Sequence, residues 1–291
     1  MVAVRRWAAT VMAAVLIAGG CVAAGVWQWH RHVARDAAIA LVERNYGAPS
    51  VPLADLVDRG PLDPDRVWRT ASVTGHYLGA PVLLRNRPVD SQPAFHVLAP
   101  FEVGEGPLAG SVLVVDRGWV PAGEDGATAR DVPGAPTGRV DVHVRLRAPE
   151  PDTDRLAPAG QVQTISPDRV RAAAATAWPA AATLAAYGVL VSEDGRLPTG
   201  VGPLEQPSLD PGPHLSYAFQ WWVFALGALV GCVVLIRRDA AENRPAPVEQ
   251  DVVHGPGGST ASGGPSRPRR RPRGPSAEEE EDALLDAQGG G

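Results

Sequence analysis

The chain of 291 residues has room for one large domain or two small ones, and 45% hydrophobic content with only 5% aromatic makes it Ala/Val/Leu-rich rather than aromatic-cored. Its 27 basic residues are all arginine, and the net charge of −5 divides into +2 at Arg5 and Arg6, −5 over residues 30–214 and −2 over residues 237–291. No segment has the sustained basic excess of a nucleic-acid binder, so no nucleic-acid partner is expected.

Residues 1–6 form a short N-terminus, and residues 7–29 then run uncharged, as residues 215–236 do near the other end. Each run exceeds the roughly 20 apolar residues that cross a bilayer core, so two transmembrane helices are predicted. The first run admits two rival readings. Arg5 and Arg6 before it, with Val22, Ala23 and Ala24 within it, resemble a signal peptide, although the run outlasts a signal h-region of about 7–15 residues. Cys21 behind Gly19 and Gly20 resembles a lipidation site, but Ala18 stands where a larger aliphatic belongs.

Arg237, Arg238 and Arg244 follow the second run, whereas residues 197–214 contain no arginine, which makes the C-terminal end cytoplasmic. Two spans then leave both termini inside and residues 30–214 outside. Six residues are too few for a mitochondrial presequence, and abundant Gly and Pro with no lysine suggest GC-rich bacterial coding, so a bacterial plasma membrane is the expected location. Cys21 and Cys232 both fall in the spans, so the outer domain is expected to hold together without a disulfide. With Met only at positions 1 and 12, it offers no soft sulfur ligand for a copper carrier.

A helix over residues 31–44 should continue from the membrane, with Val33, Ala37, Ala40 and Leu41 as its apolar stripe. Pro49, Pro52 and the Gly60–Pro61 pair break the chain. Strand patterns follow at residues 70–77, 82–87, 95–101, 112–115 and 140–146. Ser166 and Pro167 predict a helix start, with Pro179 its end; a weaker helical stretch reaches Tyr187, Gly188 is a candidate stop, and residues 189–192 form a last strand. The predicted fold class is α+β: two transmembrane helices flanking an outward-facing, mainly antiparallel sheet or partly open barrel with one or two helices. Residues 237–291, rich in Pro, Gly, Ser and Glu, read as a disordered cytoplasmic tail.

Compact catalytic signatures are missing: there is no G-x-S-x-G, H-E-x-x-H, C-x-x-C or Walker loop. Gly104, Gly106 and Gly110 lack dinucleotide-loop spacing and read as turn residues. Asp116, Asp141 and Glu150 could be gathered by folding into a hydrolytic site; Asp116, next to Arg117, also reads as half of a structural ion pair or as a turn acceptor. His143 and His76 sit on polar strand faces and read as solvated. More informative are the two outer ends of the apolar runs, where Trp27, Trp29, Tyr217, Trp221 and Trp222 form an aromatic belt and His30, His32 and His214 lie at one depth. A belt needs no histidine. His214, Tyr217, Ala218 and Trp221 fall at i, i+3, i+4, i+7, one helical face, and a neutral imidazole flanked by flat side chains suits a haem iron.

Four blocks in order carry a resemblance: Gly25-x-Trp27-Gln28-x-x-Arg31; Val73-Thr74-Gly75-His76-Tyr77 with Leu83-Leu84-Arg85-Asn86-Arg87-Pro88 and Phe95-His96-Val97-Leu98-Ala99-Pro100-Phe101; Val112 to Pro121 with Asp116-Arg117-Gly118-Trp119-Val120; and His214-Leu215-x-Tyr217-Ala218-x-Gln220-Trp221. Over about residues 20–236 the chain resembles the surfeit-locus-one family of cytochrome c oxidase assembly proteins. It departs at Pro213, where the family often has Asn, and at Ala94-Phe95, where the family has Gly-Tyr. The resemblance implies a non-enzymatic membrane factor that receives haem a, works with haem a synthesis enzymes and oxidase subunit I, and uses His214 as haem ligand beside Tyr217 and Trp221. A cofactor-free scaffold is the alternative, and an outer-domain hydrolase a more distant one. Within the third block, Gly118 should allow a turn, Trp119 cover the sheet end and Pro121 stop the strand.

Overall fold

Before Pro49 the sequence has no proline, and in the computed structural model, which describes residues 2–242, Val2–Tyr46 winds into one unbroken helix, α1. At 1.5 Å per residue it is about 68 Å long, more than twice the thickness of a bilayer core. The helix passes through Val22, Ala23 and Ala24 without a break. It ends at Gly47, and Val51–Pro52 (β1) and Leu53–Leu56 (α2) lead into the domain.

Thr70–Tyr77 (β2), Val82–Leu84 (β3), Ala94–Val103 (β4), Val112–Pro121 (β5) and Val140–Arg147 (β6) follow. Gln161–Val162 (β7), the helix Pro167–Ala173 (α3) and Thr183–Glu193 (β8) complete the domain, and His214–Glu242 (α4) closes the described chain. Residues 237–242 are thus helical, where a tail was expected; the remainder of that tail, 243–291, lies outside the described residues.

The strands run β1-β2-β6-β8-β5-β4-β3-β7, and β2 pairs with β4 as well as β6, so β2, β6, β8, β5 and β4 close into a ring. The sheet is mixed. Strands β1–β2, β3–β7 and β5–β8 pair in parallel, and the other described pairs are antiparallel. Alternation distributes the apolar residues of the domain among separate cores, of which the two larger position the helices. Phe101, Leu113, Val115, Val142, Val144 and Leu146 pack with Leu53 and Leu56 of α2, while Leu84, Leu98, Val114 and Tyr187 pack under Val170 of α3.

Three local expectations fail for physical reasons. Residues 183–187 form a strand rather than a helix, because Leu184 and Ala186 fill the first core and that burial outweighs the helix propensity of alanine. Gly188 is mid-strand, not a helix stop: a Cβ there would come within 2.7 Å of the Val144 Cβ. Helix α3 ends at Ala173, well before Pro179, once its buried anchors Pro167 and Val170 are past; Ser166 occupies the N-cap position without a side-chain cap bond. Strand β3 stops at Leu84 because Asn86 takes φ 62°, whereas β5 outruns its apolar stretch to reach Pro121.

Helices α1 and α4 pack antiparallel through small residues. Ala14, Ala18, Cys21 and Gly25 are buried on α1, as Ala218, Ala225 and Cys232 are on α4. Trp7 Nε1 donates to Asp239 at one end (3.0 Å), and Ala18 and Cys21 meet Ala225 in the middle. Beyond Gly25 the inward side of α1 continues as Gln28, His32, Arg35, Ile39 and Val42, a four-three alternation that keeps one stripe facing the partner. This corrects the expected stripe, since Val33, Ala37 and Ala40 are exposed. Arg35 turns inward because its Nε and Nη2 donate to the carbonyls of Asp210 and Ser208 (2.9 and 2.7 Å). The outward faces of both helices, among them Leu16, Ile17, Val223, Leu226 and Val233, remain apolar and exposed, and both helices are long and apolar enough to cross a membrane.

Ring closure leaves no room beside Gly75, where a Cβ would lie 2.0 Å from the Glu102 carbonyl oxygen and 2.7 Å from the Phe101 ring. Gly75→Ala is expected to destabilise the full chain in detergent by about 1–3 kcal/mol, read from chemical-denaturation midpoints. An unchanged midpoint would contradict the β2–β4 closure.

Candidate functional site

At the outer end of the helix pair, α1 presents Gly25, Gln28, Trp29 and His32, spaced i, i+3, i+4, i+7, toward the first turns of α4. Trp222 lies over Gly25, where a Cβ would come 2.3 Å from its Nε1, and packs with Trp29 at 6.2 Å between ring centroids. His214 opens α4 directly after Pro213. Its Nδ1 meets Gln28 Oε1 at 3.0 Å, and Nε2 makes no hydrogen bond with the described residues. Beside Nε2 stands Gly212 at φ 69°, where a Cβ would make only ordinary van der Waals contact with the ring at 3.6 Å.

The structure separates the other residues of the expected face. Ala218 is fully buried against α1, but Tyr217 and Trp221 are 45% and 36% exposed, with Trp221 edge-on to Phe224. His30 points outward, exposed, whereas His32 is half-buried. Its Nε2 lies 3.4 Å from Asp36 and its buried Nδ1 has no hydrogen-bond partner among the described residues. Trp27, exposed, carries the Arg31 guanidinium over its ring at 5.3 Å, the arrangement of an interfacial anchor.

Within the domain, a second polar cluster forms where β5 bulges. Leu98 pairs with Asp116 and His96 with Trp119, so Arg117 and Gly118 together oppose Val97. Gly118 takes φ 131°, and a Cβ there would come 2.4 Å from the Gly202 carbonyl oxygen; it is a bulge inside the strand rather than a turn. Trp119 donates through Nε1 to the Pro203 carbonyl (3.2 Å), which places it over the 201–203 segment. Pro121 does end the strand.

Asp116 and Arg117, adjacent and both buried, do not pair with each other. Arg117 donates through Nε and Nη2 to the two oxygens of Glu193 (2.8 and 3.1 Å), and the Tyr77 hydroxyl donates to Glu193 Oε1 (2.6 Å). Burial first, then the Glu193 carboxylate, pushes the Tyr77 hydroxyl up, so it stays protonated. Asp116 accepts from His96 Nδ1 at 2.8 Å and from the Gly118 backbone N–H at 3.3 Å. Burial pushes its carboxyl up, with the His96 hydrogen bond pulling the other way.

This pair lines a cavity of about 310 Å³ that also holds the Arg87–Glu150 ion pair, Arg147 stacked on Trp68 at 3.9 Å, and Tyr187, whose hydroxyl is pushed up to about 12 by burial. Folding therefore gathers Asp116 and Glu150, as a hydrolytic site would need, but each is already paired with a base. The cavity lining includes no Ser, Thr or Cys. Asp141 stands apart, accepting from the Thr74 hydroxyl. His96 does not stand out in the sequence as a site residue, because only the pairing of β4 with β5 puts it on the same face as Asp116, two residues along from Asp116's partner Leu98. His143 is half-buried in β6, and His76 is exposed 3.9 Å from Glu102.

Two helices long and apolar enough to cross a membrane, packed on each other beside a mixed β domain, are compatible with a membrane protein. Residues 15–226 match the sequence model of the SURF1 family. Uncharacterized SURF1-like proteins of Mycobacterium bovis and Mycobacterium tuberculosis are each 34% identical over 210 residues, covering 70% of this chain and 73% of theirs. The chain belongs to the SURF1 family, as its sequence blocks indicated.

The buried carboxyl gives a pH test. A group whose pKa is raised on folding binds its proton more tightly when folded, so its contribution to stability falls as pH rises above the ordinary carboxylate value near 4. Relative to Asp116→Asn, the wild type should lose stability as pH is raised from about 4 toward neutrality. In His96→Leu the same loss should continue to higher pH. Denaturation midpoints across that range measure both, and parallel wild-type and Asp116→Asn curves would contradict a raised Asp116.

Proposed function

We propose that this protein is an assembly factor for cytochrome c oxidase in a bacterial plasma membrane, with both termini cytoplasmic and the β domain outside, and that it holds haem a through His214 for delivery to oxidase subunit I. Family membership supports the oxidase link, because SURF1 proteins are generally associated with that assembly. The observation that carries the haem reading is the state of the His214 ring: Nδ1 is occupied by Gln28 while Nε2 makes no hydrogen bond with the described residues.

The donor chemistry fits the group. Haem would supply an iron, for which imidazole nitrogen is a common protein ligand, and His214 would hold it. The chain's own contribution is to fix the ring at the start of α4, to keep Nε2 free of hydrogen bonds with the described residues, and to offer the exposed Tyr217 and Trp221 on the same helix. A site built half from exposed side chains suits a carrier, which must release what it binds. The outward domain supplies the surface for subunit I and for the enzymes that make haem a.

Full-length protein co-expressed with haem a synthesis enzymes should purify with a haem spectrum that His214→Ala abolishes. A colourless wild type would favour the cofactor-free scaffold. Deleting the gene should lower oxidase activity several-fold with oxidase subunit transcripts unchanged, and a deletant with normal oxidase would overturn the assembly role.

A further inference from the structure

We infer that Gln28 is the positioning residue for His214: its side-chain carbonyl holds the imidazole in the Nδ1–H form and so directs Nε2, and no other atom of the ring, toward a ligand. The inference rests on the haem reading for the identity of that ligand, and on geometry alone for the state of the ring.

Gln28 Oε1 carries no hydrogen, so at a 3.0 Å contact the hydrogen must come from His214 Nδ1. A neutral imidazole has one N–H, and placing it on Nδ1 leaves the Nε2 lone pair unprotonated, the form that binds a metal. The contact crosses between helices 186 residues apart in sequence, so it exists only while α1 and α4 are docked. Three residues before Gln28, Gly25 lets the Trp222 ring approach α1 more closely than any side chain would allow, which limits the spacing of the two helices at this level. The Gln28 side chain is half-buried there and reaches His214 across the seam.

Hydrogen bonds to the distal nitrogen of a ligating histidine fix its orientation and raise its basicity, and removing one typically costs about 10–100-fold in metal affinity. Basicity also sets redox behaviour, since a stronger donor favours the ferric iron. Gln28→Leu keeps the approximate volume and removes the acceptor; Gln28→Glu keeps the acceptor and makes it stronger.

The first measurement needs no haem. In full-length protein labelled with ¹⁵N-histidine, in detergent at mildly alkaline pH and with His214 assigned by comparison with His214→Ala, the ring should show protonated Nδ1 and unprotonated Nε2. Gln28→Leu should shift it to the Nε2–H form or a mixture. A wild-type ring protonated at Nε2 would overturn the inference whether or not haem binds.

The second measurement titrates haem a into the same proteins. Affinity should fall about 10–100-fold in Gln28→Leu and be largely retained in Gln28→Glu, with reduction potentials moving up in the first and down in the second. Equal losses with shifts of one sign would mean that Gln28 merely packs, and would overturn the inference. A wild type that binds no haem while showing the expected tautomer would overturn the haem reading and leave the ring geometry standing.

Discussion

The close approach of α1 and α4 is the constraint on which the rest of the molecule depends. Lipid tails are as apolar as leucine, so two helices in a bilayer gain nothing by hiding apolar surface from each other; they associate through tight packing and polar contacts. Ala14, Ala18, Cys21 and Gly25 against Ala218, Ala225 and Cys232 supply the first, and the Trp7–Asp239 and Gln28–His214 bonds supply the second at either end. Because α1 runs on into the domain, the same seam fixes where the domain sits. Asn45, buried, donates to the carbonyls of Asp65 and Val67 at 2.7 and 2.8 Å, and Arg145 stacks on Tyr46 at 3.7 Å, so the far end of α1 is part of the β structure. Arg35 then ties the 208–210 carbonyls to the same helix just before α4 begins.

The domain itself is held without a disulfide, and its buried Arg117–Glu193 ion pair and the Asp116–His96 hydrogen bond are placed to specify rather than to strengthen. Taking charges from water costs about as much as their attraction returns, so such pairs add little net stability. Their effect is on register. Asp116 and Arg117 are neighbours with partners on different strands, His96 on β4 and Glu193 on β8. A one-residue slip of β5 would reverse every side chain on it and leave both charges buried among apolar groups. The bulge at Gly118 is the local adjustment that lets β5 meet β4 on both sides of this doublet.

Long-period features of the structure were legible in the sequence and short-range ones less so. The apolar runs announced both helices, and the alternation of Thr70 to Tyr77 and Val140 to Leu146 announced β2 and β6, because a half-buried strand writes its period into its residues. Residues 183–187 did not read as strand, since Thr-Leu-Ala-Ala-Tyr suits a helix as well and only the groove between β5 and β6 decides the matter. The face of α1 was misread for a related reason: Arg35 counts as polar in any pattern, yet it faces inward because two carbonyls of a distant loop await it. Of the candidate site, His214 was visible as a histidine where an aromatic belt needs none. Gln28 was visible only as part of a family block, and nothing local to either helix says that the two side chains meet.

That meeting has a thermodynamic consequence. With the inferred Nδ1–H form of His214 favoured by an acceptor on the other helix, the proposed ligating state of the ring and the docked state of the helix pair are linked equilibria. Whatever binds Nε2 must stabilise the docking of α1 on α4 by the same free energy that docking contributes to binding, since such coupling is reciprocal. The carrier proposed above would not need a separate latch. On that proposal, loosening the seam, by a partner that pulls on either helix or on the domain fused to α1, would withdraw Gln28 from the ring and weaken the hold on the ligand at the moment of contact. The small residues of the seam fit this role, because packing through Ala, Gly and Cys permits close approach without the deep interdigitation that would make separation slow.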